Sequence, residues 1–339
     1  MKKIKFILSF VAYAFSLMPS AFSQDIHFSQ FFETPLLRNP SLAGIYTGDI
    51  RVQAVYRNQW NNVTNAYKTE SLNGEYKMPV GKGNDFMTVG LQMLNDVAGT
   101  IGWTSTYFLP ALNFHKSLSA DQNRYLSAGF MGGFVQRRFD RSKMTTNSQY
   151  NGFGDGETFS QASYIYLDGS AGMSYNSSFG SDVNNNFFAG VAYHHFNRPS
   201  NSFYRNAKIE LNPKWVFSAG VKFVVTDYTF LTIQADHSNQ GSFQETVAGT
   251  MFAIKIGEDI NHPQYTIQGG AFLRWGDALI PVIKVDYNPF SFAFSYDANI
   301  SALKPSSYGL GGFEFSLSYI AFRSRLEKST INSILCPRF

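Results

Sequence analysis

One cysteine and few charges are the first things the 339-residue chain is short of: charged side chains make up 15%, against about a quarter in an ordinary soluble domain. With Cys336 alone no intrachain disulfide can form, so stability has to come from packing and closure. Past residue 23 no stretch approaches the ~18 apolar residues of a spanning helix, and mean hydropathy is only −0.17. A helical membrane protein is excluded. Charge of one sign is missing too. The 28 Lys and Arg face 24 Asp and Glu, and with Lys2, Lys3 and Lys5 assigned to a leader, 25 face 24. No nucleic-acid partner is expected from that balance.

What is present reads as export. Lys2, Lys3 and Lys5 precede an apolar run over residues 6–18, and Ala21 and Ser23 supply small residues for cleavage. Residues 1–23 are therefore expected to be a signal peptide, with the mature chain starting at Gln24. No cysteine follows the cut, so lipid attachment is not expected.

Aromatics reach 17%, with 33 Phe and 19 Tyr, which suits the girdles of an outer-membrane barrel. The clearest pattern lies at residues 311–319. Phe313, Phe315, Leu317 and Tyr319 share one face of a strand, and Glu314, Ser316 and Ser318 share the other. Apolar-out, polar-in alternation in an exported chain predicts an all-β fold, an antiparallel transmembrane β-barrel. Strands are expected over residues 50–57, 68–78, 86–96, 104–118, 124–139, 164–178, 186–197, 214–226, 228–239, 243–256, 265–275, 279–287, 290–300 and 308–322. That makes about 14 strands, an even number as in bacterial single-chain barrels. Residues 247–256 are apolar on both faces until Lys255, and Pro110 and Pro281 fall inside strands, where bulges or strand starts are expected.

The domain plan is then a segment at 24–49, periplasmic or a plug, a barrel at 50–322, and a periplasmic tail at 323–339. Both termini are expected in the periplasm, with residues 141–163 and 198–212 as long outer loops or segments folding into the lumen. The lumen should carry Arg51, Gln53, Arg57, Glu75, Lys77, Arg137, Asp168, Lys222, Asp236, Lys284, Asp286 and Glu314. Mixed signs favour pairing across the interior over a single-sign selectivity ring.

No catalytic, metal or cofactor site is expected. Asp236 with His237, and His194 with His195, are neighbours in strands and should face opposite sides. There is no Gly-x-Ser-x-Gly elbow, no Cys/His metal spacing and no phosphate loop.

Particular words of the sequence carry a resemblance. Asp25-Ile26-His27-Phe28-Ser29-Gln30-Phe31-Phe32 comes after the expected signal, followed by Pro35-Leu36 and Asn39-Pro40-Ser41-Leu42-Ala43-Gly44. Then come His195-Phe196-Asn197-Arg198-Pro199, Ser295-Tyr296-Asp297, Gly311-Gly312-Phe313-Glu314-Phe315, and the ending Cys336-Pro337-Arg338-Phe339. In that order they resemble the PorP/SprF family of Bacteroidetes outer-membrane proteins over nearly the whole mature chain. The resemblance implies a role in type IX secretion and gliding motility. Its expected partners are a secreted adhesin recognised through a C-terminal targeting domain, the secretion machinery on the periplasmic side, and outer-membrane lipid.

Each motif also has a plainer reading. The Asn39-Pro40 element through Ala43 and Gly44 is either a turn seating the N-terminal segment under the barrel or a movable plug. An Asn-Pro-Ala-like element also occurs in fatty-acid-channel barrels of the FadL type, so a small-solute channel, FadL-like or porin-like, is the alternative function. Ser41 in place of alanine and a polar lumen weigh against it. His195 and Pro199 mark either a strand end or a contact site, and the tail is either a docking segment or packing under the barrel.

Overall fold

The computed structural model describes residues 25–59, 67–81, 83–119, 123–157, 159–182, 184–259, 263–301, 304–307 and 309–322. The expected signal peptide at 1–23, Gln24 and the expected tail at 323–339 with Cys336, Pro337, Arg338 and Phe339 lie outside the described residues.

Alternation of apolar and polar residues produces fourteen strands among the described residues. They are β1 (Ile50–Gln59), β2 (Tyr67–Pro79), β3 (Phe86–Ala98), β4 (Trp103–Ser117), β5 (Arg124–Arg138), β6 (Ser163–Ser178) and β7 (Asn186–His194), then β8 (Lys214–Thr226), β9 (Thr229–Gln240), β10 (Phe243–Ile256), β11 (Tyr265–Arg274), β12 (Ala278–Tyr287), β13 (Phe290–Asn299) and β14 (Leu310–Ala321). Each pairs antiparallel with the next, and β1 pairs with β14 from Ile50↔Ala321 to Gln59↔Gly312, closing the barrel. Closure leaves no edge with unpaired backbone groups, which hydrocarbon cannot solvate.

The register is the expected one. Phe315 is 52% exposed on the outside, while Glu314 and Ser316 are buried inside. Pro110 and Pro281 sit within β4 and β12 rather than at strand starts. The β4–β5 pairing skips Leu109 and Pro110, and the β12–β13 pairing skips Ile280 and Pro281. A residue without an N–H is accommodated by interrupting one ladder locally.

Up-and-down connection puts the start of β1 and the end of β14 at one rim, the near rim. Residues 139–162 and 195–213 connect strands at the opposite, far rim. Trp103, Phe139, Tyr164 and Phe203 pack edge to face there, and Phe159 stacks on Tyr204. Leu211 and Phe203 are buried, so the 195–213 connection folds over the mouth.

Residues 25–49 do not sit under the barrel. Asp25 donates its N–H to Gln240 Oε1 at 2.9 Å, and Gln240 lies at the β9–β10 turn of the far rim. At the other end Asp49 N–H donates to Ala321 O at 2.9 Å, at the near rim. The segment thus crosses the whole lumen before entering β1, which corrects the periplasmic one of the two places expected for residues 24–49 and leaves the other, a plug. The reason is tertiary. It has apolar residues to bury, and Phe28, Phe31, Leu36, Leu42 and Ile45 are buried against the wall, each contributing about 1.5–3 kcal/mol relative to exposure. Phe31 and Phe32 pack with Val247, Met251, Phe272, Ile280 and Val282, which is why β10 is apolar on its inner face as well.

Candidate functional site

The segment runs through the lumen as a 3-10 turn (Phe31–Glu33), one helical turn (Pro35–Arg38) and a second 3-10 turn (Pro40–Leu42). Pro35 and Pro40 occupy first positions, where the missing N–H has no partner to lose. Such short turns leave most backbone groups unpaired internally. Where the segment is buried in the lumen, these groups need partners on the wall.

The wall meets them one by one. Glu314 takes the N–H groups of Ser29 and Gln30 at 2.6 and 2.7 Å, and Arg57 donates to His27 O at 2.8 Å. Lower down, Asn113 Nδ2 donates to Ser41 O and Ala43 O at 2.7 and 2.8 Å. Glu75 accepts from Gly44 N–H, and Lys77 donates to Tyr46 O, both at 2.7 Å. Two histidines repeat one arrangement. His115 bridges Ser127 Oγ (2.6 Å) and Ala43 O (2.7 Å); His194 bridges Ser170 Oγ (2.9 Å) and Arg38 O (3.4 Å). A carbonyl only accepts, so in each ring Nε2 carries the proton and Nδ1 accepts from the serine. Both rings are committed to clamping the segment.

Charged side chains of the segment pair with the wall as well. Glu33 meets Lys284 Nζ at 2.5 Å and accepts from Gln53 and Ser318 at 2.8 and 2.9 Å. Arg38 pairs with Asp236 at 2.5 Å, its guanidinium lying between the rings of Phe31 and Phe188. Wall pairs complete the network: Arg51 with Glu75 at 2.7 Å, Arg57 with Asp297 and Glu314 at 3.3 and 3.2 Å. Of the expected lumen residues, Lys222, Lys284 and Asp286 are half-buried and the rest are buried.

Asn39 is fully buried and caps the second 3-10 turn, its Oδ1 accepting from Ser41 N–H (2.9 Å) and Oγ (2.7 Å). Three inward glycines make room for it and for Pro40. A Cβ on Gly129 would lie 2.6 Å from the Pro40 carbonyl carbon, one on Gly190 2.8 Å from Asn39 Nδ2, and one on Gly172 would collide with Asn39 Oδ1. Ala43 is fully buried, and Gly44 turns at φ +83° against Thr88, a conformation that favours glycine.

The other motif residues have distinct surroundings. Gly312 lies opposite Gln59 where β14 pairs with β1, and a Cβ there would meet Asn58 O at 2.6 Å. Pro199 accepts from Leu211 N–H at 2.9 Å, closing the far-rim connection on itself. Strand β7 stops at His194 rather than running to residue 197. His195 then adopts φ +56°, the alternation breaks, and both histidine rings face inward. The expectation that they face opposite sides is corrected for that reason. Asp236 and His237 do diverge, His237 pairing with Thr246 away from the Arg38 contact.

His195 Nδ1 donates to Asp168 Oδ2 and Oδ1 at 2.7 and 2.9 Å, and its Nε2 faces Asp25 Oδ2 at 3.2 Å. Lys214 Nζ is 3.7 Å from the same oxygen. Burial alone would lower the His195 pKa, but the Asp25 charge and the Asp168 hydrogen bond raise it to about 9. Burial likewise works against the Asp25 carboxylate, yet His195 and Lys214 hold it below the usual carboxylate range. Reasoning from sequence did not single out Glu33, Arg38, Asn113 or the glycine cradle. Isolated inward glycines on three successive strands were the one available signal.

Among solved structures the Ralstonia pickettii toluene transporter TbuX is similar in fold, at 9% identity and a TM-score of 0.52, covering 86% of this chain and 94% of that one. The CymD monoaromatic hydrocarbon channel gives 8% and 0.50, with 86% and 94% covered. A deltaS2 mutant of the TodX monoaromatic hydrocarbon channel gives 9% and 0.50, with 85% and 93% covered. These likenesses are of fold alone. No curated protein matches the chain by sequence. The model of the type IX secretion system membrane protein PorP/SprF family matches residues 20–319, and with its closed fourteen-stranded barrel this chain belongs to that family.

Proposed function

We propose that this outer-membrane barrel binds a secreted cell-surface adhesin, through the adhesin's C-terminal targeting domain, and supports its secretion, attachment or movement in type IX secretion and gliding motility. Family membership carries this reading. The lumen supports it: a barrel filled by a segment hydrogen-bonded along its length suits a docking platform better than a steady pore. With the near rim in the periplasm, the far-rim connections face the exterior. Tyr150 (92% exposed), Phe153 (74%) and Tyr204 (47%) stand out there as aromatic contacts for a partner. The tail at 323–339 faces inward in this arrangement and contacts the secretion machinery. Arg323, Arg325, Lys328 and Arg338 make it basic, and Pro337 is unsuited to barrel wall.

Deleting residues 330–339 tests this. The variant is expected to remain a heat-modifiable outer-membrane barrel while adhesin display or movement is lost. Normal display by a correctly inserted variant would remove the tail from the function. A second reading, a channel for a small solute, shares the barrel fold with the hydrocarbon channels but requires residues 25–49 to leave the lumen.

A further inference from the structure

At the far rim one carboxylate oxygen is shared by two cations of the wall. Asp25 Oδ2 lies 3.2 Å from His195 Nε2 and 3.7 Å from Lys214 Nζ. We propose that His195 and Lys214 form a carboxylate-recognition site for an incoming polypeptide, a site that the barrel's own Asp25 fills at rest; this rests on the secretion-partner reading above.

The receptor half is built without Asp25. Asp168 fixes the ring of His195 through Nδ1 and is itself held by Gly169 N–H at 2.9 Å, so Nε2 points at the carboxylate position whether or not Asp25 is there, and a carboxylate arriving at that position favours the charged ring in which Nε2 donates. The left-handed backbone at His195 is uncommon for a residue with a Cβ, and it turns the ring inward at the point where β7 ends. Burial is lopsided. The His195 side chain is 4% exposed and that of Asp25 is 19% exposed, so the accessible side of the pair is the one the acid occupies.

The approach is cationic. The connection folded over the mouth carries Arg198, Arg205 and Lys208, all exposed, against Glu210, a balance that draws in an acidic chain. Exchange is also local. Asp25 begins the described segment and is held by its carboxylate and one backbone hydrogen bond to Gln240, whereas Glu314 retains Ser29 and Gln30 independently. An incoming carboxylate can therefore take the place of Asp25 while the segment below stays seated. An acidic side chain and a chain-terminal carboxylate present the same chemistry to this site.

Three dye-labelled peptides on one Gly-Ser frame, titrated against the full-length barrel in detergent, separate these sources. One carries two aspartates and an amidated end, one carries asparagines and a free terminal carboxylate, and one carries asparagines and an amidated end. Asp25→Asn removes the resident carboxylate and leaves a weaker, neutral competitor in its place, and at least one carboxylate peptide is expected to bind about tenfold more tightly than to the parent barrel. The neutral peptide should be unchanged. Adding His195→Gln should abolish the gain; adding Lys214→Gln instead serves the same purpose if the first pair fails to fold. An Asp25→Asn barrel, heat-modifiable and intact, that prefers neither carboxylate peptide over the neutral one would overturn the proposal. So would a gain that survives both second substitutions. Adhesin display is not read in this assay, so either reading can fail alone.

Discussion

Glu314 Oε2 accepts the backbone N–H of Gln30 at 2.7 Å across 284 residues of sequence. Its Oε1 takes the preceding N–H, that of Ser29. Gln30 caps the Phe31–Glu33 turn, and its N–H is one of the free donors there that no residue of the turn itself can satisfy. The only charged residue of the Gly-Gly-Phe-Glu-Phe word thus ties the last strand to the segment that precedes the first.

Replacing Glu314 by alanine leaves two buried donors unmet and Arg57 with one acid fewer. The expected cost is about 3 kcal/mol. A lowered temperature for loss of the compact electrophoretic form, with a smaller drop for Glu314→Gln, is the outcome to look for.

The glycine cradle makes a steric prediction. Valine at Gly129 has Pro40 backbone in its way, so Gly129→Val should cost about 1–3 kcal/mol and lift the segment enough for trypsin to cut at Arg38, which is buried in the parent. Valine at Gly74, where nothing lies within 4 Å, should leave Arg38 protected.

The wall was legible in the sequence and its filling was not, for a physical reason. Dyad alternation is a local signal, so all fourteen strands, and the outward face of Phe313, Phe315, Leu317 and Tyr319, follow from neighbours in the chain. The path of residues 25–49 depends on contacts such as Arg38 with Asp236 and Ala43 with His115, which no spacing encodes. For the same reason the inward apolar positions Val247 and Met251 looked ambiguous until Phe31 and Phe32 were found against them. His195 was misjudged because one left-handed residue after β7 ends the alternation.

Register is open to a direct check at Phe315. Arginine there faces lipid and should cost about 2–4 kcal/mol if the site is near the midplane, while Phe315→Leu should cost little. Equal stability of the two variants would mean that the outward face has been misassigned.

His195 carries a pH dependence with a defined sign. The ring titrates near 6.5 when unfolded and at about 9 in the barrel, so its contribution is complete below 6.5 and falls away as pH rises to about 9. Asp25 and Asp168 support the charge, the Lys214 cation on the same Asp25 oxygen opposes it, and the neighbouring His194 ring, accepting from Ser170 through Nδ1, is neutral. Thermal stability should decline between pH 6.5 and 9.5 in the parent and decline less in His195→Gln. Parallel curves would deny that Asp25 and Asp168 stabilise the charged His195 ring.

The central claim is that residues 25–49 close the lumen, and planar-bilayer recording of the purified barrel tests it most directly. The parent protein should show little steady conductance, and Gly172→Val, in which the new side chain takes the place of Asn39, should show frequent large openings. Large, stable, porin-like openings from the parent itself would contradict the account.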